Sequence, residues 1–543
     1  MALLTVFLLT LLSYVNAQSG MATIFMNVPN WVQAKVVATA RDVSDPHSSN
    51  YGKYLTYQQM KHLTFVNESV YVATFLDSYP VLSYNFHGDN FEVFGDEDDV
   101  VTILSSIPAN VSQYIYFVEG IDETPLKKNI TRHNRPSNLN RRVGDITPDS
   151  GFVGRETILR LHNISGQLSV TTTTSIALIE FADGGFYFQD YNDSLNLNNV
   201  NSTTTPVVIG GDAEAGTESS LDVEMSSITA QNVSIIYINY SGSQWIASFT
   251  ANISNMVNPP DVCSVSYGWS VYQQCMITTC GFLTNDQYVA LSDYYFAKIA
   301  LRGVTVVVSS GDSGAPSRFD ASCSLEPTTQ AEYPSASPFV LSVGGMFVVN
   351  GTTTFNSTTP LCQQLNCANG TTLNLVQNQF VGWCSGSGFP PNYDVTTIMP
   401  FQNRLLDQYM KTNVSFPKDF NRQSFSRPDV VSVAHNCATV TDGFVQPVDG
   451  TSCSAPIVAG IIALLNDKRI RNNEPRLGYV NPLLYKIQSE DPSVFTTNYV
   501  GNTASSEGGV CPPDYGFYSD GTTAFSNPTG LGNINFGLLY RYV

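Results

Sequence analysis

The chain contains 543 residues, with 45 acidic against 26 basic side chains and a formal net charge of −19 at pH 7. An excess of acid on this scale argues against nucleic acid as a partner, and we predict none. Apolar residues make up 43% of the chain and charged residues only 13%, unlike a chain kept disordered by charge repulsion. The length exceeds that of a small domain, so we expect at least two folded units.

An apolar run opens the chain. Residues 3–15 are mostly apolar, and the small residues Val15 and Ala17 flank a possible cleavage point. We predict a signal peptide over residues 1–17, because a membrane anchor, the alternative, needs about 20 apolar residues. No later segment is apolar for long enough to span a bilayer, so no membrane span is expected once the signal is removed.

Two further features of composition fit a secreted protein. The chain has thirteen Asn-x-Ser/Thr glycosylation sequons, and its ten cysteines suit a large extracytosolic domain with a few disulfides. We therefore place the protein in the secretory pathway. A lysosome-like acidic compartment and the cell exterior remain alternative destinations, since both routes begin with the same signal.

A basic segment divides the chain. Six Lys and Arg residues lie between Lys127 and Arg142, in a stretch that also contains Asn and Pro. This pattern predicts an exposed linker over residues 127–144 that is open to proteolysis, although an ordinary solvated surface loop is an alternative. The linker separates two predicted domains, residues 18–126 and residues 145–543.

Short β-branched runs alternate with helical patterns in the larger domain. Residues 175–180, 233–238 and 304–309 are near-continuous apolar runs, typical of strands buried on both faces of a parallel sheet. We therefore predict an α/β fold with a doubly wound, mostly parallel sheet and helices on both faces. Residues 350–377 are rich in Asn and Thr and are predicted to be a surface insertion.

Two acidic residues lie four positions apart in a segment with a helical pattern of apolar residues. This spacing places Glu218 and Asp222 on one helical face. Two carboxyl groups held close share a proton, so that one can act as a base at acidic pH while the other orients it. A solvated acidic face is the alternative for such a pair.

A third carboxyl group follows the most hydrophobic predicted strand. Asp312 lies in a glycine-rich turn after residues 304–309, which predicts a position at the carboxyl edge of the sheet, where doubly wound folds bind ligands. A protonated aspartic acid there can donate a hydrogen bond to an oxyanion. The alternative is a residue that only forms the turn.

A serine precedes the most apolar helical segment. Pro456 lies just inside that segment and marks its N-terminus. Ser452 would therefore lie beside unpaired backbone N–H groups and the positive end of the helix dipole, which favours a nucleophile whose intermediate is anionic. Capping of the helix by Ser452 or Thr451 is the alternative.

The cysteines divide into two groups. We predict that Cys263 and Cys453 are free core thiols, because neither has a basic partner nearby in sequence. The remaining eight can form four bridges, and two pairs are plausible as short loops, namely Cys275–Cys280 and Cys362–Cys367.

These motifs together resemble those of the sedolisin, or serine-carboxyl peptidase, family. Glu218 and Asp222 match its E-x-x-x-D pair, Asp312 ends an S-G-D triplet, and Ser452 ends a G-T-S triplet. The resemblance, which covers nearly the whole chain after the signal peptide, implies a subtilisin-like catalytic domain. It also implies that Glu218 takes the proton from Ser452, that Asp222 supports Glu218 and that a protonated Asp312 stabilises the oxyanion.

The resemblance also indicates which type of residue serves as the general base. No histidine lies in the His-Gly-Thr-His context of the subtilisin base, and His435 is a candidate only by elimination. A carboxylate base makes that histidine unnecessary and predicts activity at acidic pH.

Residues 45–56 resemble a stretch of the family's activation propeptide. The resemblance implies that residues 18–126 form a smaller α+β prodomain that assists folding and inhibits the enzyme intramolecularly, and that the linker contains the processing site. The function implied is an acid-active serine-type peptidase, made as a zymogen, that acts on peptides or proteins as a tripeptidyl-peptidase or an endopeptidase. The alternative is a catalytically silent secreted glycoprotein that uses the fold for binding.

Family members hold calcium near the C-terminus through two aspartates, whose positions here hold Thr497 and Ser526. Neither side chain has the charge that a Ca²⁺ site needs. We therefore predict no metal or other cofactor and a calcium site that is lost or much weakened, although Asp514 or Asp520 could substitute. The resemblance also suggests a Cys323–Cys511 bridge.

Overall fold

The structure is a computed structural model that describes residues 20–121, 141–142, 152–166, 168–181, 184–210, 214–240, 244–318, 320, 322–349, 372–374, 384–497, 499–506 and 509–543. The predicted signal peptide, most of the predicted linker and insertion, and the Cys362–Cys367 pair lie outside these ranges. Within them, no helix combines the length and the apolar character needed to cross a membrane.

Residues 20–121 form a small unit in which helices pack on one antiparallel sheet. Its elements are β1 (Gly20–Met26), α1 (Asn30–Ser44), α2 (Tyr57–Leu63), α3 (Ser69–Leu76), β2 (Ser83–Phe86), β3 (Asn90–Gly95), α4 (Glu97–Ser105), α5 (Ala109–Ser112) and β4 (Ile115–Glu119). The strand order is β2-β3-β1-β4. The small α+β unit predicted before the linker is confirmed.

The larger unit contains most of the secondary structure, and β5 (Arg141–Arg142), from the predicted linker, pairs with one of its strands. Its helices are α6 (Arg155–Leu161), α7 (Phe188–Leu197), α8 (Thr217–Thr229), α9 (Ile246–Asn255), α10 (Asn285–Leu301), α11 (Val395–Ile398), α12 (Asn403–Tyr409), α13 (Thr451–Arg471), α14 (Asn481–Glu490) and α15 (Phe536–Leu539). Its further strands are β6 (Ser175–Phe181), β7 (Val207–Ile209), β8 (Ser234–Tyr240), β9 (Val262–Val265), β10 (Trp269–Ser270), β11 (Thr305–Ser309), β12 (Glu332–Tyr333), β13 (Leu341–Val349), β14 (Thr372–Asn374), β15 (Val430–Val433), β16 (Cys437–Thr441), β17 (Phe444–Val448), β18 (Phe495–Thr496), β19 (Val500–Asn502), β20 (Ser505–Ser506), β21 (Gly509–Val510), β22 (Tyr518–Asp520) and β23 (Asn533–Ile534).

A mostly parallel sheet organises the larger unit. Its strand order is β18-β23-β15-β13-β11-β9-β6-β8-β7, and the pairs from β23 to β7 are parallel. Strand β18 is antiparallel to β23, and β14 joins β13 antiparallel. The doubly wound α/β fold predicted from the apolar runs is confirmed.

Alternate residues of the central strands enter two cores. Leu178 of β6 belongs to a cluster with residues of α8 and α13, whereas Ile179 belongs to a cluster with residues of α9 and α10. Because successive side chains of a strand point to opposite faces, helices cover both faces of the sheet. On the first face, α8 packs against α13, which brings together the helices that carry Glu218 and Ser452.

The small unit docks on α9 and α10 of the larger unit through buried polar contacts. Lys298 Nζ lies 2.7 Å from Asp89 Oδ1, and both side chains are fully buried. Glu119 accepts hydrogen bonds from the Ser248 N–H at 2.7 Å and from the Tyr288 hydroxyl at 2.6 Å. Paired charges are tolerated in such an interface because each neutralises the other away from water.

The Lys298–Asp89 pair generates a stability prediction. Lys298→Met should lower the free energy of unfolding by about 3–5 kcal/mol, because it leaves the Asp89 carboxylate buried without its cation. Chemical denaturation of the full chain at neutral pH measures this. Lys486→Met is the matched control, since Lys486 forms an exposed pair with Glu490 within α14 and should cost no more than about 0.5 kcal/mol. Equal losses in the two variants would contradict the prediction.

Candidate active site

Ser452 lies at the start of α13, as its sequence context predicts. The helix begins at Thr451, and Ser452 is 7% exposed. Its Oγ lies 3.5 Å from the carbonyl oxygen of Ser266, which follows β9 by one residue. The serine hydroxyl therefore lies where the N-terminus of a buried helix meets the carboxyl edge of the central sheet, and the helix dipole there favours developing negative charge.

Asp312 fixes the residue that precedes Ser452. Its Oδ1 accepts a hydrogen bond from the Thr451 N–H at 2.7 Å and from the Thr451 hydroxyl at 2.9 Å. Gly450 has φ +151°, and a Cβ at that position would lie 3.1 Å from Asp312 Oδ2. The backbone before the nucleophile helix can approach the carboxyl group this closely because residue 450 has no side chain.

Glu218 and Asp222 lie on α8, one turn apart and next to the serine. The Ser452 hydroxyl lies close enough to the Glu218 carboxyl group to oppose the rise in its pKa. Asp222 is fully buried and accepts a hydrogen bond from the Ser266 hydroxyl at 2.8 Å. The pair is therefore not a solvated acidic face.

A third carboxyl group extends this pair, and sequence reasoning missed it. Glu180 is the penultimate residue of β6, is fully buried, and lies close enough to Asp222 for the charge of Glu180 to raise the pKa of Asp222. Its Oε2 accepts hydrogen bonds from Tyr267 at 2.8 Å and Ser219 at 3.0 Å. The signal that could have found it is an acidic residue at the carboxyl end of an otherwise apolar predicted strand.

Burial makes these carboxyl groups hold protons unusually well. It raises the pKa of Glu218 to about 8, and the negative charges of Glu180 and Asp312 add to the effect. It raises the pKa of Glu180 to about 7, against hydrogen bonds that favour the ionised form. It also raises the pKa of Asp222 well above its usual value, with the charges of Glu180 and Glu218 as further causes. The three groups titrate as one coupled set.

His435, the candidate base by elimination, contacts the carboxyl group of Asp449. Its Nδ1 lies 2.8 Å from Asp449 Oδ1, and that oxygen also accepts the Asn436 N–H at 2.9 Å. These contacts tie the end of β15 to the loop that leads into α13.

The cysteine predictions need two corrections. Cys453 forms a disulfide with Cys437, so the free thiol predicted there is wrong. The cause is the β16–β17 hairpin, which returns the chain from Cys437 to the start of α13. Cys384, predicted to form a bridge, is a free buried thiol in the part of the chain that the structure describes.

The other described cysteines agree with the predictions. The Cys275–Cys280 and Cys323–Cys511 disulfides are present, which confirms both. Cys263 is a free buried thiol, as predicted.

The two positions that would carry calcium ligands do not fit the ion. Ser526 Oγ lies 2.8 Å from Thr529 Oγ1, so the two hydroxyl groups bond to each other. Thr497 is likewise neutral, whereas Ca²⁺ binds where several oxygens, carboxylates among them, converge. Over the described ranges, no cluster of three or more His, Cys, Asp or Glu side chains could hold a metal ion.

Comparisons with known proteins point to one group. A model described as the subtilase family matches residues 207–476, a span that includes all four predicted site residues. Physarolisin of Physarum polycephalum is 29% identical over 540 residues, which cover 93% of this chain and 90% of physarolisin. Tripeptidyl-peptidase 1 of Mus musculus is 27% identical over 489 residues, which cover 82% of this chain and 78% of that protein.

The solved structures add support for the fold. That of Pseudomonas sedolisin, a serine-carboxyl proteinase, aligns with a TM-score of 0.54 at 20% identity. The alignment covers 72% of this chain and 97% of that one.

The raised carboxyl pKa values predict how stability changes with pH. A group whose pKa is raised by folding stabilises the protein fully below its unfolded value, about 4.3 for Glu, and this contribution is lost as pH rises through the folded value. For Glu180 the loss should run from about pH 4.3 to about 7. Glu180→Gln should therefore have a Tm about 2–4 °C above that of the unchanged chain at pH 7.5, and no gain at pH 4.

Differential scanning fluorimetry across this pH range tests the assignment. Glu156→Gln is the control, because Glu156 is on the surface, 80% exposed beside Arg160, and should leave the pH dependence unchanged. A Glu180→Gln curve parallel to that of the unchanged chain would show that the buried carboxyl does not titrate as described.

The calcium positions generate a further prediction. Adding millimolar Ca²⁺, or removing it with a chelator, should leave the Tm unchanged, since binding only to the folded state would raise it. A Tm that rises with Ca²⁺ and returns on chelation would indicate a site built from other residues. Asp514→Asn and Asp520→Asn would then identify the ligand.

Proposed function

The chain belongs to the sedolisin family of serine-carboxyl peptidases, and from that premise we propose that Ser452, Glu218, Asp222 and Asp312 carry out its peptide hydrolysis. As a serine-type peptidase acting at acidic pH, it needs a nucleophile, a base and an oxyanion donor. The single observation that carries the assignment is the proximity of the Ser452 hydroxyl, at the N-terminus of α13, to the buried Glu218 carboxyl group on the neighbouring helix α8.

The first half of the reaction forms an acyl-enzyme. Ser452 Oγ attacks the carbonyl carbon of the scissile bond while its proton passes to Glu218. The tetrahedral intermediate then collapses, the C–N bond breaks, and the leaving amine takes the proton from Glu218. In the second half, water attacks the ester, gives its proton to Glu218 and releases the acid, while the proton returns to Ser452.

Asp312 is proposed to stabilise the oxyanion. Its Oδ1 accepts hydrogen bonds from Thr451, one residue before the nucleophile, and its Oδ2 lies beside Gly450. A protonated carboxyl group in this position can donate to the oxygen that becomes negative in the intermediate. Its geometry is fixed before the substrate arrives, so little reorganisation is needed during the reaction.

Asp222 and Glu180 are proposed to position Glu218 and to share its proton. Asp222 accepts a hydrogen bond from Ser266, and Glu180 accepts hydrogen bonds from Tyr267 and Ser219. A carboxyl set of this kind works when it retains some of its protons, because full ionisation places three negative charges in a buried space.

The small unit is proposed to be the prodomain, covering residues 18–126, with residues 127–144 as the processed linker. Arg141 and Arg142, the part of this linker that the structure describes, form β5 and pair with β17, the strand that leads towards α13. The larger domain would then begin at about residue 145. We propose that the protein enters the secretory pathway and becomes active in an acidic compartment or outside the cell.

The substrates are peptides, but the manner of cleavage is a proposal. Mouse tripeptidyl-peptidase 1, by its name, releases tripeptides, and this chain covers 78% of its length at 27% identity. Either tripeptide release or internal cleavage fits the proposed chemistry, so product lengths must decide between them.

An acid shift of the zymogen tests the function. After a shift from neutral pH to about pH 4, the unchanged chain should release the segment before roughly Val143 and cleave added peptides. Ser452→Ala should do neither, and Glu218→Gln should lower kcat by about 10²-fold or more. Mass spectrometry of the chain and of the peptide products measures both effects, and tripeptide ladders or internal fragments give the manner of cleavage.

A matched control tests whether the loss of any carboxylate has the same effect as the loss of Glu218. Glu490→Gln removes an exposed carboxylate on α14 and should behave like the unchanged chain. If the unchanged chain stayed intact and inert from pH 3 to 7, the catalytic assignment would fail. A silent glycoprotein that uses the fold for binding would then be the better description.

A further inference from the structure

The two residues proposed to exchange a proton each lie at the start of a helix. Glu218 is the second residue of α8, and Ser452 is the second residue of α13. The first four N–H groups of a helix have no partner within the helix, so its first turn is held less firmly than its middle. The distance between the base and the nucleophile therefore depends on the contacts that these two first turns make.

One hairpin is bonded to the first turn of the nucleophile helix. It consists of β16 and β17, which pair in antiparallel register with Cys437 opposite Val448, and α13 follows it along the chain. Cys437, at the start of β16, forms the disulfide with Cys453, the residue after Ser452. Both cysteines are fully buried. The hairpin is thus linked covalently to the residue next to the nucleophile.

The same hairpin contacts the helix that carries the base. The side-chain amide of Gln446, on β17, donates a hydrogen bond to the Thr217 hydroxyl at 3.2 Å. Thr217 is the first residue of α8 and immediately precedes Glu218. On β16, the Val440 N–H donates to the Glu224 carboxyl group at 3.0 Å, which holds the hairpin against the middle of α8. The β16–β17 hairpin therefore contacts the chain beside the base as well as beside the nucleophile.

Helix α13 is preceded by a glycine, which has no side chain to accept the free N–H groups of the first turn. That residue is Gly450. The first turn is held by other groups: the Thr451 N–H donates to Asp312 Oδ1 at 2.7 Å, and Cys453 is held by the disulfide. Ser452 lies between these two anchored residues, so loss of the disulfide would free one side of the nucleophile.

We propose that the β16–β17 hairpin sets the distance between Ser452 and Glu218. Its positioning residues are Cys437, Cys453, Gln446 and Thr217. This inference rests on the proposed function, in which Glu218 takes the proton of Ser452. Such a transfer requires the two groups to lie within hydrogen-bond reach, about 2.6–3.2 Å, in the reacting complex. A misplacement of about 1 Å can lower the rate by about 10²-fold, and it acts on the chemical step while substrate binding is retained.

The contact between Thr217 and Gln446 is tested at both of its ends. Thr217→Val replaces the hydroxyl with a methyl group, and Gln446→Leu removes the side-chain amide. Each change should lower kcat about tenfold and leave KM within about twofold, because the base is displaced while the substrate still binds. Thr217→Ser keeps the hydroxyl and should retain kcat within about twofold. The measurement is steady-state cleavage of one peptide at about pH 4, per mole of acid-processed full chain.

A double-mutant cycle shows whether the two residues act through each other. If their contact carries the effect, Thr217→Val combined with Gln446→Leu should lower kcat no further than either change alone. Independent effects would instead multiply to a loss of about a hundredfold. A multiplied loss would overturn the proposal that the hairpin positions the base through this contact.

The disulfide is tested by removing both of its cysteines. Cys437→Ala combined with Cys453→Ala leaves no odd thiol and should lower kcat about tenfold or more at an unchanged KM. The control is Cys275→Ala combined with Cys280→Ala, which removes a disulfide packed with the core on the other face of the sheet and should leave kcat within about twofold. Differential scanning fluorimetry shows whether each variant is folded at the assay temperature. If the first pair of changes unfolds the chain there, the double-mutant cycle decides the test alone.

A further control separates positioning from stability. The Thr284 side chain caps α10 by accepting a hydrogen bond from the Gln287 N–H. Thr284→Val should therefore lower the Tm, as the loss of a cap does, and leave kcat within about twofold.

Two outcomes would overturn the proposal at this point. Thr217→Val could lower only the Tm, as Thr284→Val should, or it could raise KM at a constant kcat. If cleavage that depends on Ser452 persists in either case, only the inference about the hairpin fails. If the unchanged protein cleaves no peptide, the proposed function fails with it.

Discussion

The burial of three carboxyl groups beneath one serine is the constraint on which the rest of the site depends. Moving a carboxylate out of water is costly unless it is protonated, paired or hydrogen-bonded. Here Asp222 and Glu180 accept hydrogen bonds from the Ser266 and Tyr267 hydroxyl groups, and Glu218 lies beside the Ser452 hydroxyl. The set is therefore most stable when it retains protons, and Glu218 can accept the proton of Ser452 only in the molecules in which it is ionised.

The scaffold explains how such a costly cluster is maintained. Helices α8 and α13 are buried along most of their length against the central sheet, so the backbone cannot move apart to admit water around the acids. Strands β6 and β9 are neighbours, with Ile179 paired to Val265, which places Glu180 next to the Ser266 segment. Hydrophobic packing over the whole domain thus offsets a local electrostatic cost at one edge.

Local patterns in the sequence predicted part of this site, because helical geometry is local. The spacing of Glu218 and Asp222 fixes a shared helical face, and the run after Pro456 marks a helix start, whatever the rest of the fold does. Glu180 was missed because its role depends on β6 lying beside β9, strands that are 80 or more residues apart in the chain. The Cys437–Cys453 bridge was missed for a similar reason, since only the β16–β17 hairpin brings these residues together.

A buried carboxyl group at the interface limits how acid could release the small unit. Burial raises the pKa of Glu119 at the interface, so the docked state binds this proton more tightly than the released state would. Acidification therefore favours docking through Glu119, not release. An acid-driven release must come from groups whose docked partners require their charge.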